Sequence, residues 1–331
     1  MSIDSLVDTH ADQVEAFVGA VADATDSFAG DLATLTAAAT AGWVAVAGST
    51  SAVPDGTVVG AFLAWLRREL ARLFGRAGPI VDRALSKAVR DGVELGVRQA
   101  SGETAVLSGT RTRLPVPDPS PEVLAAVATA VEHLEVQHAA ARRVLAAAPS
   151  VGFPAVAGGL REAEKTVPLV ERAGSWAVVR AVAEGSEAVA DSLGVGRVWI
   201  AERTACVVCA AYAGVVAAQG AEFPRGLTFG AKPADSRPVP NPPKHPRCRC
   251  KTAPWSDAWK VPGVLSYPEA LRREAARSIA RGFALPSEPV SVRIAAAERL
   301  LADGTTLPAS VRAFAARAVR SGRFPPVPAG I

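Results

Sequence analysis

Two short clusters, Cys206-Val-Val-Cys209 and His245-Pro-Arg-Cys248-Arg-Cys250, contain all four cysteines of the chain and one of its four histidines. A zinc ion takes about four soft or borderline ligands in a tetrahedron, and two close pairs from separate stretches are a common way to supply them. The C-x2-C turn lets two thiolates converge on one point, while H-x2-C and C-x-C offer three groups for the two remaining positions. Cys206, Cys209, His245, Cys248 and Cys250 are therefore the expected ligands of one structural Zn2+ ion, with one ligand to spare. Which two of His245, Cys248 and Cys250 complete the set is left open by the spacing. Disulfides fit less well, because four cysteines in 331 residues are no disulfide scaffold and no secretion signal argues for an oxidising compartment. A thioredoxin-like pair calls for Cys206 and Cys209 at the start of a helix after a strand, with no second thiol pair downstream. A catalytic zinc wants an open water position and a general base, and the histidine nearest the C-x2-C pair, His245, is already a candidate ligand.

The elements that must hold these ligands are few and short. Between the clusters, Pro224, Pro233, Pro238, Pro240, Pro242 and Pro243 remove backbone donors and fix φ, so the stretch reads as an extended loop. Residues 197–200 and 214–217 have the β-branched and aromatic content of two short strands around the C-x2-C turn, and 249–253 suit a third. The expectation is a small zinc-stapled β unit, its long loop ordered by a metal contribution on the order of 10 kcal/mol or more.

The run from Trp199 through Arg203-Thr204-Ala-Cys206-Val-Val-Cys209 to Gly214, followed by a proline-rich loop and Pro242-Pro-Lys-His245-Pro-Arg-Cys248-Arg-Cys250, resembles the C-terminal signature of the Mu F-like minor head proteins of tailed bacteriophages. The likeness covers about a sixth of the chain, and two linked motifs in the right order carry it. Residue by residue, Cys206, Cys209, His245, Cys248 and Cys250 transfer, with Arg203, Thr204 and Gly214 as framework. Ala201-Glu202 departs from the Asp-Ser pair frequent in that family and touches no ligand. The resemblance implies a head morphogenesis protein made in the bacterial cytoplasm and carried in few copies in the virion, in the head interior or at the portal vertex. Its partners would be the portal or major capsid protein. It further implies a structural and assembly role; relatives that carry a fused toxin domain are not matched, because residues 255–331 are short and plainly helical.

Composition points to a mainly α chain of two to three units: 49% of residues are hydrophobic but only 5% aromatic, so helices pack largely through alanine and valine. The architecture expected is an elongated helical bundle with the small zinc-stapled β/loop module and a short helical C-terminal tail. Its divisions fall at 1–114, an N-terminal helical region; 115–195, a long-helix region; 196–255, the module; and 256–331, a basic helical region. The first 65 residues carry no Lys or Arg, whereas 255–331 carry eleven basic and six acidic residues. An acidic start and a basic end suggest different partners, with solvated helix faces as the plain alternative. The uncharged run 32–54 is mostly Ala, Thr, Gly and Ser, unflanked by basic residues, and reads as a helix packed on a neighbour rather than a membrane span.

Helical spacing marks residues 60–75, 79–99, 120–147 and 159–193, the last interrupted at Pro168 and Gly174. Ser120-Pro121-Glu122 and the capping box Ser266-Tyr-Pro-Glu269 open helices, and Gly282, Gly304 and Gly322 close three short ones. Those three must dock on one another or on a partner, being too short to stand alone. His133 and His138, five residues apart on one helix, share no face well and read as surface or packing groups. Arg272, Arg273, Arg277 and Arg281, with Arg312, Arg317, Arg320 and Arg323, form a candidate surface for packaged DNA or for an acidic protein. A zinc-dependent DNA-processing enzyme or DNA-binding knuckle is the alternative. No catalytic set, no nucleophile with its base and no Walker-type phosphate loop can be assembled, so the expectation is a non-enzyme.

Overall fold

The computed structural model describes residues 3–52, 56–109, 112–202, 205–230, 237, 239–245, 248–259, 266–282 and 288–324, without the side chains of 3–11 and 56. The chain is mainly helical with one small antiparallel sheet. Its elements run α1 (Ile3–Ala47), α2 (Gly56–Ser108), α3 (Pro121–Leu145), α4 (Ala148–Val151), α5 (Phe153–Glu164), α6 (Thr166–Ser192), β1 (Gly196–Ile200), α7 (Val207–Tyr212), β2 (Val216–Ala217), β3 (Lys251–Trp255), α8 (Tyr267–Arg281), α9 (Val290–Ala302) and α10 (Ala309–Ser321). Two compact units form: one from Met1–Glu15, Asp91–Pro119 and Val179–Ile331, the other from Ala16–Arg90 and Ser120–Val178. Helices α1, α2 and α6 each contribute residues to both.

Among its described residues the second unit has helices and no strand. Leu32, Ala39 and Trp43 of α1 are buried with Phe62, Leu66, Leu70 and Phe74 of α2 and with Val123, Val127 and Leu134 of α3. Edge-on ring contacts join Phe28 to Phe74 and Trp43 to Phe62, with centroids 5.0 and 5.7 Å apart. The small-residue run expected to pack on a neighbour does so within α1, and no helix among the described residues is long and apolar enough to cross a membrane.

Two breaks expected from sequence are absent. Helix α2 runs unbroken through Pro79. The residue four before it, Gly75, is exposed, so water can meet the carbonyl that proline leaves unbonded. Helix α6 contains both Pro168 and Gly174. Pro168 falls in its first turn, where backbone donors have no helical partner anyway. A side chain at Gly174 would strike Leu85 and Val21, so this glycine serves close packing instead of ending the helix.

The first unit contains the sheet, ordered β2-β1-β3 and antiparallel throughout. Alternation along β1 sends its residues to opposite faces. Val198 and Ile200 join Leu107, Ala253, Trp255, Tyr267 and Leu271 in one cluster. Trp199 turns the other way into the core that contains the cysteines. Helices α8, α9 and α10 pack on one another, and α8 and α9 also touch α7. The short C-terminal helices thus find the docking partners that their length demands.

Candidate metal centre

Strand β1 delivers the chain to Cys206, which caps α7: its Sγ accepts a hydrogen bond from Cys209 N at 3.4 Å. The C-x2-C pair therefore lies on the first turn of a short helix, where sequence reading expected a turn between strands. That helix start satisfies half of the thioredoxin-like description, but the thiols are not alone, because β3 begins directly after Cys250 and brings the second cluster alongside.

All five expected ligands come together. Cys206 Sγ and Cys209 Sγ lie 3.2 and 3.1 Å from His245 Nε2, and Cys209 Sγ lies 3.5 Å from Cys248 Sγ. They fall into two triads sharing Cys209: Cys206, Cys209 and His245, and Cys209, Cys248 and Cys250, each with its ligand atoms within 4.8 Å of one another. A tetrahedral zinc with Zn–S bonds of about 2.3 Å sets its thiolates about 3.8 Å apart, so the observed spacing fits the donor set of such an ion. No disulfide joins the four thiols. Cys209, Cys248 and Cys250 are buried and Cys206 is partly so, as in closed structural sites.

Crowding polarises the thiols. The hydrogen bond with Cys209, helped by His245, holds Cys206 down at about 4 despite burial. Hydrogen bonds with Cys209 and Cys250 hold Cys248 well below the ordinary thiol range, while Cys209, bonded to both Cys206 and Cys248, is pushed up. A divalent cation bound among them would convert such a set to thiolates throughout.

The surroundings were not foreseen from sequence. Glu288 Oε2 accepts from Val207 N at 2.8 Å, and Glu288 pairs with Arg293 at 2.9 Å, both side chains being buried. Arg293 also donates to Ala205 O. Arg197, lying over the Phe223 ring, clamps the proline-rich loop by donating to Ala221 O at 2.6 Å and Pro240 O at 3.0 Å, and pairs with Glu187 at 2.6 Å. Phe223 and Val239 bridge the same loop. Lys251, next to Cys250, forms a buried pair with Glu103 of α2. Gly214, expected as framework, has φ +70° and sits so close to Pro268 that a side chain would collide with its carbonyl. Arg203 and Thr204 lie outside the described residues.

The core behind the cysteines is shared. Cys209, Cys248 and Cys250 pack in one cluster with Trp199, Tyr212 and Phe223 and with Ala276, Ile279, Ala296, Leu300, Val311 and Ala315 of the last three helices. The ligand loops therefore have a core, supplied by the C-terminal helices. The basic surface expected there is largely occupied. Arg272 donates to Gly214 O at 2.9 Å, Arg273 pairs with Glu269, and Arg277 and Arg281 both pair with Glu274. Arg312 donates to Thr305 O, while Arg317, Arg320 and Arg323 are exposed. His138 packs in the helical unit, stacked on Phe74 with centroids 4.9 Å apart, and neither it nor His133 joins the cluster. Compared with protein-family models, curated proteins and solved structures, the chain matches none.

Proposed function

We propose that the chain is a non-enzymatic structural protein of a tailed-phage head, of the Mu F-like minor head type, whose Cys/His cluster holds one structural zinc ion. The observation that carries the zinc half is the convergence of Cys206, Cys209, His245, Cys248 and Cys250 in two triads that share Cys209, each with its ligand atoms within 4.8 Å of one another, in a largely buried place. Bound there, the ion would supply cross-linking and charge neutralisation between α7 and the segment entering β3. The chain's own residues do the rest: Glu288 and Arg293 fix the α7 end, Arg197 fixes the loop, and the last three helices cover the cysteines. The virion half rests on the two linked motifs, and a role beside the portal or major capsid protein follows from that resemblance alone.

The test is quantitative mass spectrometry of purified particles from the host that encodes the chain. A few copies per particle, far below the major capsid protein, is the expected result. Absence from heads and from assembly intermediates overturns the virion reading, and activity on DNA that scales with bound zinc would favour the enzyme alternative.

A further inference from the structure

A charged face of α2 takes no part in the cysteine cluster. Arg68, Arg72, Arg76, Arg83, Lys87 and Arg90 follow at steps of four, four, seven, four and three residues. At 3.6 residues per turn these steps keep all six side chains within a sector of about 100°. All six are exposed, while Leu66, Leu70, Leu73 and Val81 on the opposite face are buried. Arg72 is held by Glu69 at 2.8 Å, and no ion pair neutralises Arg68, Arg76, Arg83 or Arg90 among the described residues. From Arg68 to Arg90 the stripe rises about 33 Å, close to the ~34 Å turn of B-form DNA. It lies wholly within the helical unit.

We propose that this face of α2 docks on double-helical DNA and holds its phosphate backbone without reading bases. Four arginines without an ion pair among the described residues, about 10–12 Å apart along the helix axis with Arg72 and Lys87 between them, make a positive track that complements phosphates, and guanidinium, which makes up five of the six charges, binds phosphate with paired donors. Between Arg68 and Arg90 no aromatic side chain is exposed, so the face has no platform on which unpaired bases could stack. It also lacks Asn and Gln, the usual readers of adenine edges. Helix α8 differs: its four arginines are engaged within the chain. The inference is independent of both the zinc and the virion readings.

The experiment is fluorescence anisotropy of the full chain with a 30-base-pair DNA duplex of arbitrary sequence, titrated between 50 and 200 mM salt. The variant R68Q/R76Q/R83Q/R90Q is expected to flatten the log–log salt slope by about 0.9 for each arginine taken off the phosphate track, some 3.6 in all. The variant R312Q/R317Q/R320Q is expected to leave most of the slope in place. Single R76Q and R83Q variants, each expected to lower the slope by about 0.9, keep the test decisive should the fourfold variant misfold. Failure of the full chain to bind at 50 mM salt overturns the proposal. So does an unchanged slope in the α2 variants, tighter binding of a 30-nucleotide single strand, or salt-sensitive self-association that the α2 substitutions abolish without any duplex binding.

Discussion

Cysteine and histidine are legible at the scale of the residue because their chemistry is rare and their spacing is fixed by the ion they would hold. The same spacing could not say which ligand is spare, and the structure adds that Cys209 stands at the junction of both triads. Sequence context already separates His245, beside a C-x-C pair, from His138, and packing agrees. His138 lies flat on Phe74, and burial, with the Arg142 charge beside it, lowers its pKa. A histidine kept neutral in the fold takes its proton more readily when unfolded. Stability is then full above the ordinary pKa of about 6.5 and falls as pH drops below it. Replacing His138 by Phe keeps the stacking and removes the titration. Thermal melts at pH 7.5 and 5.0 should show a smaller acid-induced drop in Tm for His138→Phe than for the parent, and equal drops would deny His138 this role.

Capping signals at the scale of the element translated directly into structure. Ser120 and Ser266 accept from Val123 N and Glu269 N, and Gly282 and Gly322 close α8 and α10 in left-handed conformations. Breaker signals did not translate, because Pro79 and Gly174 act through their neighbours: one faces water and the other faces Leu85 and Val21. The docking of α9 against the knuckle was illegible too. Glu288, two residues before α9, and Arg293 within it look like surface charges, and only the fold buries them together beside Ala205 and Val207. Removing one partner of such a pair leaves an uncompensated buried charge, at a cost of about 3–5 kcal/mol. Glu288→Ala should therefore destabilise the unit holding the sheet by about that much, whereas Glu288→Ala combined with Arg293→Met should recover part of the loss. Urea denaturation of both variants measures this, and a double variant no better than the single would mean that the pair is not the cause.

The division into units at the scale of the whole molecule joins segments far apart in sequence: residues 91–119 belong with the sheet, and 16–90 with 120–178. Sequence order and composition indicated helices and a small sheet, but helical periodicity cannot say which helices share a core when each repeats the same alanine-rich pattern. The acidic beginning and basic end stood out as a contrast between termini, yet the stripe on α2 is the more continuous positive face because Arg68, Arg76, Arg83 and Arg90, unlike the arginines of α8, are not answered by carboxylates or carbonyls among the described residues. Central to the account is that one divalent ion, bound by the Cys/His cluster, organises the β unit and the helices that share its core. Elemental analysis of the purified full chain, with a free-thiol count before and after chelation, tests that most directly. About one zinc per chain, with thiols shielded until the chelator removes it, is the predicted result; no bound metal and four thiols that react freely from the start would contradict it.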